Sequence, residues 1–378
     1  MRPFEFATAT RIVFGQGTAR GLADIIGSLG GRPFLVTGAA RRHAELIRAA
    51  AVFPVAGEPT FDTVRAGVAA ARDAGADVVV SIGGGSAIDA GKAIAMLLTN
   101  EGDPLDYAEV IGKGQAVSRP AAPFIAVPTT AGTGSEATRN AVLLSPRHGV
   151  KVSLRSPLML PRVALVDPEL AVGAPPRITA ACGMDALAQL IEPFLSSRAT
   201  PLTDALCRDG LPRIARSLPR VIEKGDDLDA RADMALAALY SGMALANAGL
   251  GAVHGLASPI GGGFGAPHGE VCAALLPGVF EANFLHAMER PQECFTKQGK
   301  FEEVARLLTG KPDARPVDAV EWLREMNRRL GIPRLSIYGI RPEDASGLAA
   351  RALETSSMKG NPVPLRADEL ERIVIGAL

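Results

Sequence analysis

The chain has little with which to cross-link itself. Its four cysteines, Cys182, Cys207, Cys272 and Cys294, are scattered through 378 residues without a CxxC pair. That excludes a disulfide framework and a cysteine-rich zinc module, and it fits a reducing cytoplasm. No sign of charge dominates, since Lys+Arg and Asp+Glu both number 40; neither nucleic acid nor a charged membrane surface is called for as a partner. No apolar run approaches the roughly 20 residues of a bilayer span, and the positive mean hydropathy is attributed to buried Ala, Leu, Val and Gly. Met1 leads into mixed polar sequence, so no secretory leader is expected. Internal repeats and low-complexity tracts are missing too. Aromatics make up only 4% of the residues, too few to outline the shape of a ligand pocket.

What is present is glycine at an informative place. In DVVVSIGGGSAIDAGKAIAM, residues 77–96, β-branched residues stop at Gly83, Gly84 and Gly85, and a helical period opens at Ser86. This reads as a buried strand delivering a phosphate loop to a helix N-terminus. Glycine lets a phosphate oxygen approach the backbone N–H groups, and Ser86 is expected to cap a helix whose dipole favours an anion. Asp89 and Lys92 fall one turn apart beside the loop, where a sugar and phosphates would lie.

Strands are also expected at 11–15, 33–37, 124–130, 148–154 and 163–167, with a helix at 61–74 and the helix after the glycines running to about 98. GQGTARG at 15–21 departs from the GxGxxG spacing and has no acidic residue about 20 positions on, so it reads as a plain strand-to-helix turn. The strand at 33–37 ends at Gly38, where an acidic side chain would accept the adenosine ribose hydroxyls and repel a 2′-phosphate. Arg41 and Arg42 follow, so the position leans toward NADP. Thr129, Thr130, Thr133 and Ser135 offer hydroxyls suited to a ribose, a diphosphate or a nicotinamide amide. Alternating strands and helices to this point indicate an open α/β sheet with its ligand at the carboxyl ends of the strands.

Pro175-Pro176 marks a boundary near 177, giving an α/β dinucleotide-binding domain at 1–177 and an all-helical domain at 178–378. Helices are expected at 178–197, 202–218, 228–248, 250–260, 270–285, 300–309, 317–330, 342–355 and 367–377. Asp185 and Gln189 sit one turn apart in CGMDALAQLIEPFL. His254 and His268 flank a glycine-rich turn expected at 261–265, two of only five histidines in the chain. An Asp/Gln/His/His set of oxygens and nitrogens suits Fe(II) or Zn(II) with a position left for substrate.

GGGSAIDAGKA, PTTAGTGSEAT, the lone Lys151, VALVDPEL, GMDAL, VHGLASPIGG, APHG and NPVPLRADEL together resemble the iron-containing (group III) alcohol dehydrogenase family over nearly the whole chain. The resemblance implies a nucleotide-binding α/β domain of Rossmann-like character, a helical domain, dehydroquinate synthase-like architecture, and a dinucleotide in the cleft between them beside a divalent metal. It assigns Gly83, Gly84, Gly85, Ser86 and Asp89 to the diphosphate and nearby ribose. Thr129, Thr130, Thr138 and Lys151 are further cofactor contacts, and Asp185, His254 and His268 are three of four metal ligands. Gln189 stands where the family places its second ligand, a histidine. Ser258 stands where a histidine often lies near the nicotinamide, and Gly38 replaces the acidic residue that commonly selects NAD. A neutral amide donates less strongly than imidazole, so reduced metal affinity or a different ion is expected.

The reaction this implies is reversible hydride transfer between nicotinamide C4 and a small aldehyde or ketone, with Ser258, a ribose hydroxyl or water delivering the proton. Other readings stay open: a metal-independent reductase like the maleylacetate reductases, a lyase resembling dehydroquinate synthase, and an inactive nucleotide-binding paralogue. The lyase is disfavoured because residues 240–275 contain no Lys or Arg for a phosphorylated acid. A homodimer or higher homo-oligomer, paired through the N-terminal strand, is the expected assembly.

Overall fold

The computed structural model describes the backbone of residues 3–289 and 291–378, with the side chains of all of these except 291–297. The chain divides into two compact units, Ala7–Ala174 and a second made of Met1–Phe6 with Pro175–Leu378.

The first unit is an open α/β sheet. Its strands are β1 (Arg11–Phe14), β2 (Pro33–Gly38), β3 (Ala51–Val55), β4 (Val78–Gly83), β5 (Phe124–Pro128), β6 (Asn140–Ser145), β7 (Val150–Arg155) and β8 (Val163–Val166). Six of them form a parallel sheet in the order β1-β8-β5-β4-β2-β3, while β6 and β7 make a separate antiparallel hairpin. Residues of the central strands alternate between two cores because successive side chains point to opposite faces. Phe34, Val36, Val79, Phe124 and Ala126 pack under α2 (Phe61–Asp73) and α3 (Gly85–Thr99); Leu35, Val78, Val80, Ile82, Ile125 and Leu165 pack under α1 (Leu22–Gly27). From β2 the chain leaves toward β3, and from β4 it leaves the opposite way toward β5. The switch point of the sheet therefore lies between the carboxyl ends of β2 and β4, where open α/β sheets bind ligands.

The second unit is helical: α4 (Pro176–Leu195), α5 (Pro201–Glu223), α6 (Leu228–Ala248), α7 (Ala252–Phe264), α8 (His268–Glu289), α9 (Pro291–Thr309), α10 (Pro316–Arg329), α11 (Ala345–Leu353) and α12 (Ala367–Ala377). Contrary to the expectation from sequence, α4 and α8 are long and apolar enough to cross a membrane. Their apolar surface is spent on neighbouring helices instead, and every residue of α4 from Gly183 to Leu195 is buried, three of them ionisable or amide side chains.

Several local expectations are corrected. Ser86 does not cap α3: the cap is Gly84, without a side-chain hydrogen bond, and Ser86 lies inside the first turn. Gly261, Gly262 and Gly263 belong to α7, so the reversal toward His268 is made by Gly265-Ala266-Pro267, with Gly265 left-handed at φ 66°. Strands β3 and β6 were not anticipated. The 15–21 segment is a turn as expected, held by Asp167, whose carboxylate accepts the N–H groups of Gly17 and Ala19 at 3.1 and 2.9 Å.

Candidate functional site

Around the sheet switch point, Gly83 ends β4 against β2: a Cβ there would lie 2.7 Å from Ala87 Cβ and 3.3 Å from Gly38 N. A Cβ on Gly85 would meet Thr133 at 2.9 Å, and Gly84 faces the Thr130 side chain. Thr129 N–H donates to Gly83 O at 2.9 Å, so the β5 loop is tied to the glycine loop. Gly38, Gly83, Gly84, Gly85, Ser86, Thr129 and Thr130 thus share one edge, and α3 opens there with no side-chain acceptor for its first amides. These features fit a diphosphate.

One turn further along α3 the polar groups are committed within the protein. Lys92, fully buried, donates to Ser135 O, Thr138 Oγ1 and Asn140 O at 2.8, 2.9 and 2.7 Å. Burial lowers its ammonium to about 8, opposed by the carboxylates of Asp89 and Glu136. Asp89 accepts from Ser135 Oγ and from Val142 N–H, the latter at 3.0 Å, and burial raises its carboxyl. Lys92, Asp89 and Thr138 therefore pin residues 135–142 to α3. Lys151 pairs with Glu58 at 2.8 Å, and the Arg42 guanidinium donates to Val172 O at 2.6 Å.

In the helical unit, Asp185, Gln189 and Glu192 occupy successive turns of one face of α4, all buried. Helix α7 supplies His254 from its first turn. Helix α8 supplies His268 at its start and Cys272 one turn on. The ligand atoms of Asp185, His254, His268 and Cys272 all lie within 4.8 Å of one another. Asp185 Oδ1 is 3.3 Å from His254 Nε2 and 3.5 Å from His268 Nε2, and Cys272 Sγ is 3.8 and 3.6 Å from the same two nitrogens.

Three contacts build this convergence. Gly269 lies against α4 so closely that a Cβ would come 2.4 Å from Ala181 O, and Arg177 at the start of α4 grips Glu270 with two bonds of 2.5 and 3.0 Å. Asn361 holds the start of α7 by accepting from Ala252 N–H at 3.1 Å.

Glu192, which sequence reading missed, orients His254. Its Oε2 takes the Nδ1 proton at 2.6 Å and its Oε1 takes Val253 N–H at 2.7 Å. With Nδ1 donating to Glu192, Nε2 is the nitrogen left to face the cluster, the arrangement metal-bound histidines adopt. Asp185 Oδ1 and Gln189 Oε1 are buried without a hydrogen-bond partner. Burial by itself would raise the Asp185 carboxyl; His268, His254 and a hydrogen bond from Gln189 bring it down to about 2. Burial likewise opposes ionisation of Cys272, but the two imidazoles lower its thiol, and both imidazoles are raised in turn by Cys272 and the carboxylates. Asp185 Oδ1, Cys272 Sγ and the two Nε2 atoms converge on one space, a donor set that a divalent cation can take up by displacing the imidazole and thiol protons. Ser258 lies half-buried one turn beyond His254 on α7.

Comparison with known proteins agrees with this layout. Residues 9–168 match the family model for iron-containing alcohol dehydrogenase, and residues 179–378 match the model for the C-terminal part of the Fe-containing alcohol dehydrogenase family. The chain is 40% identical to a probable alcohol dehydrogenase of Salmonella typhimurium, covering 81% of this chain and 74% of that one. It is 34% identical to the NAD-dependent methanol dehydrogenase of Bacillus methanolicus, covering 97% of each. A crystal structure of 1,3-propanediol oxidoreductase superposes with a TM-score of 0.89, at 32% identity and full coverage of both chains. These relatives are oxidoreductases acting on CH–OH groups, and they give no support to the lyase, metal-independent or non-enzymatic readings. Fold, ordered motifs and relatives agree: the chain belongs to the iron-containing alcohol dehydrogenase family.

Proposed function

We propose that the protein is a NAD(P)-dependent alcohol dehydrogenase that also runs as an aldehyde reductase, using a divalent cation, Fe(II) or Zn(II), held in its helical unit. The observation that carries this is Asp185 Oδ1, buried, unpartnered and facing two imidazole nitrogens. When bound, the nicotinamide supplies or accepts the hydride and the cation supplies Lewis acidity toward the carbonyl oxygen.

The chain's own contribution is placement. The neighbouring imidazoles of His268 and His254 favour the ionised form of Asp185, Glu192 accepts from His254 Nδ1 and so orients the ring, and Gly269 lets α8 approach α4. Gly83, Gly84, Gly85 and Ser86 would receive the diphosphate at the start of α3. Gly38 leaves the end of β2 without an acidic group and with no atom within 4 Å of where a Cβ would stand, which supports a lean toward NADP. Thr129 and Thr130 would serve the cofactor beside the glycines. Ser258 would relay the proton, and a Ser258→Ala variant with unchanged turnover and pH profile removes it from that role.

Relatives named for methanol, 1,3-propanediol and 4-hydroxybutyrate support a short primary alcohol as the substrate class. A cytoplasmic setting is proposed, in keeping with cysteines that form no disulfide among the described residues. A homodimer is proposed through β1, an edge strand of the sheet. The test is steady-state oxidation of NADH and NADPH with a panel of short aldehydes. Turnover with at least one, faster with NADPH, is expected; no turnover with any removes the assignment.

A further inference from the structure

Cys272 is neither a surface thiol nor an ordinary packing residue. It is fully buried, one helical turn after His268, and its sulfur faces both imidazole nitrogens at 3.8 and 3.6 Å. The fourth position of the expected ligand set is filled in this sequence by Gln189, a neutral amide whose Oε1 is buried without a hydrogen-bond partner. Cys272 supplies a donor where that amide is a weak one.

The distances can be tested against coordination chemistry. Zinc bonds are about 2.3 Å to thiolate sulfur and about 2.0–2.2 Å to imidazole nitrogen and carboxylate oxygen. The edges of a tetrahedron built from these bonds are roughly 3.3–3.5 Å between nitrogen and oxygen and roughly 3.6 Å between sulfur and nitrogen. The protein shows 3.3 and 3.5 Å for the first kind and 3.8 and 3.6 Å for the second. A second observation is independent of the cysteine: Asp185 Oδ1, buried and without a hydrogen-bond partner, points into the same space.

We propose that Cys272 is a metal ligand, so that this chain holds its cation with a carboxylate, two imidazoles and a thiolate. A thiolate in the set favours the borderline-soft ions, Zn(II) and its probe Co(II), over an all-oxygen-and-nitrogen preference for Fe(II). The proposal rests on the metal-centre reading above and extends it to the identity of the fourth donor and the ion.

The experiment is a titration of the metal-free full-length protein with Co(II), followed by absorption, and with Zn(II) against a chromophoric chelator. One equivalent of Co(II) should bind and give a near-ultraviolet sulfur-to-cobalt charge-transfer band together with tetrahedral visible bands. Cys272→Ser should abolish the charge-transfer band and weaken Zn(II) by more than about 100-fold, beyond what loss of an outer hydrogen-bond partner costs, with circular dichroism unchanged. If Cys272→Ser does not fold, Cys272→Ala combined with Gln189→His should bind Co(II) through nitrogen and oxygen donors, again without that band. Stoichiometric Co(II) binding that is lost in His254→Ala but never shows the charge-transfer band overturns the role of Cys272 and leaves the metal centre standing. No Co(II) or Zn(II) binding under any condition overturns both.

Discussion

Replacing Glu192 with glutamine isolates how the protein prepares a ligand before any cation arrives. Glu192 accepts two buried bonds, from His254 Nδ1 at 2.6 Å and from Val253 N–H at 2.7 Å. In Glu192→Gln the side-chain oxygen can accept only one of them. If it keeps Val253, the amide N–H₂ faces His254 Nδ1 and draws the imidazole proton to Nε2, so an N–H replaces the lone pair directed at Asp185 and His268. If the ring keeps its original tautomer, a buried N–H faces an N–H, which costs about 1–3 kcal/mol. Either way cation binding should weaken about 10–100-fold, the usual cost of losing an outer partner of a ligating histidine. The change is nearly isosteric, so the melting temperature of the metal-free protein should move little. Zn(II) competition against a chelator is the assay, with wild type measured in parallel. A Kd within a factor of about three of wild type would refute the reasoning, because a tautomer that mattered could not be displaced so cheaply.

Other outcomes follow from single contacts. Gly269→Ala sets a Cβ 2.4 Å from Ala181 O, so α8 must move away from α4 by about 1 Å; overpacking of this kind costs about 1–3 kcal/mol. A lower melting temperature together with weakened cation binding is expected, and an unchanged melt would show that the contact is not a tight one. Burial raises the Glu136 carboxyl from 4.5 to about 7, so the folded chain holds a proton that the unfolded chain releases. Its stabilising contribution is full below pH 4.5 and is lost as pH rises through 7, a fall of about 3 kcal/mol. Glu136→Gln should flatten that part of the urea stability profile, and parallel curves for the two proteins would refute the assignment. Gly38→Asp places its Cβ with no atom within 4 Å and should depress use of NADPH far more than NADH; equal effects on both would remove the argument for NADP.

Much of this was legible because the physics is local. Three glycines after a β-branched run announce a strand, a tight loop and a helix wherever they occur, and α3 and β4 lie where that pattern puts them. Asp185, His254 and His268 stood out as polar groups in apolar or glycine-rich surroundings. Strand β3 escaped because Pro54 breaks its pattern, yet the edge of a sheet tolerates a proline. Strand β6 was missed, since its pairing with β7 is set by tertiary contacts such as Val142 N–H on Asp89. Glu192 had a signal, the i, i+4, i+7 stripe it forms with Asp185 and Gln189 on α4. Cys272 had one as well, its one-turn spacing from His268, but a buried cysteine is most often a small apolar residue. Only the close approach of α4, α7 and α8 distinguishes the two cases. Lys92 illustrates the converse: spacing put it beside the phosphate loop, while the fold turned its ammonium inward onto Ser135, Thr138 and Asn140.

The central claim, that a divalent cation at Asp185 serves the oxidoreductase, is tested most directly by one depletion series. Aldehyde reduction and bound metal are measured together on protein as purified, after exhaustive chelation, and after stepwise return of Zn(II) or Fe(II). Activity that falls to background with the metal and returns in proportion to one equivalent per chain is the predicted result, with no recovery in Asp185→Ala. Full activity in protein shown by elemental analysis to hold no metal would contradict the account.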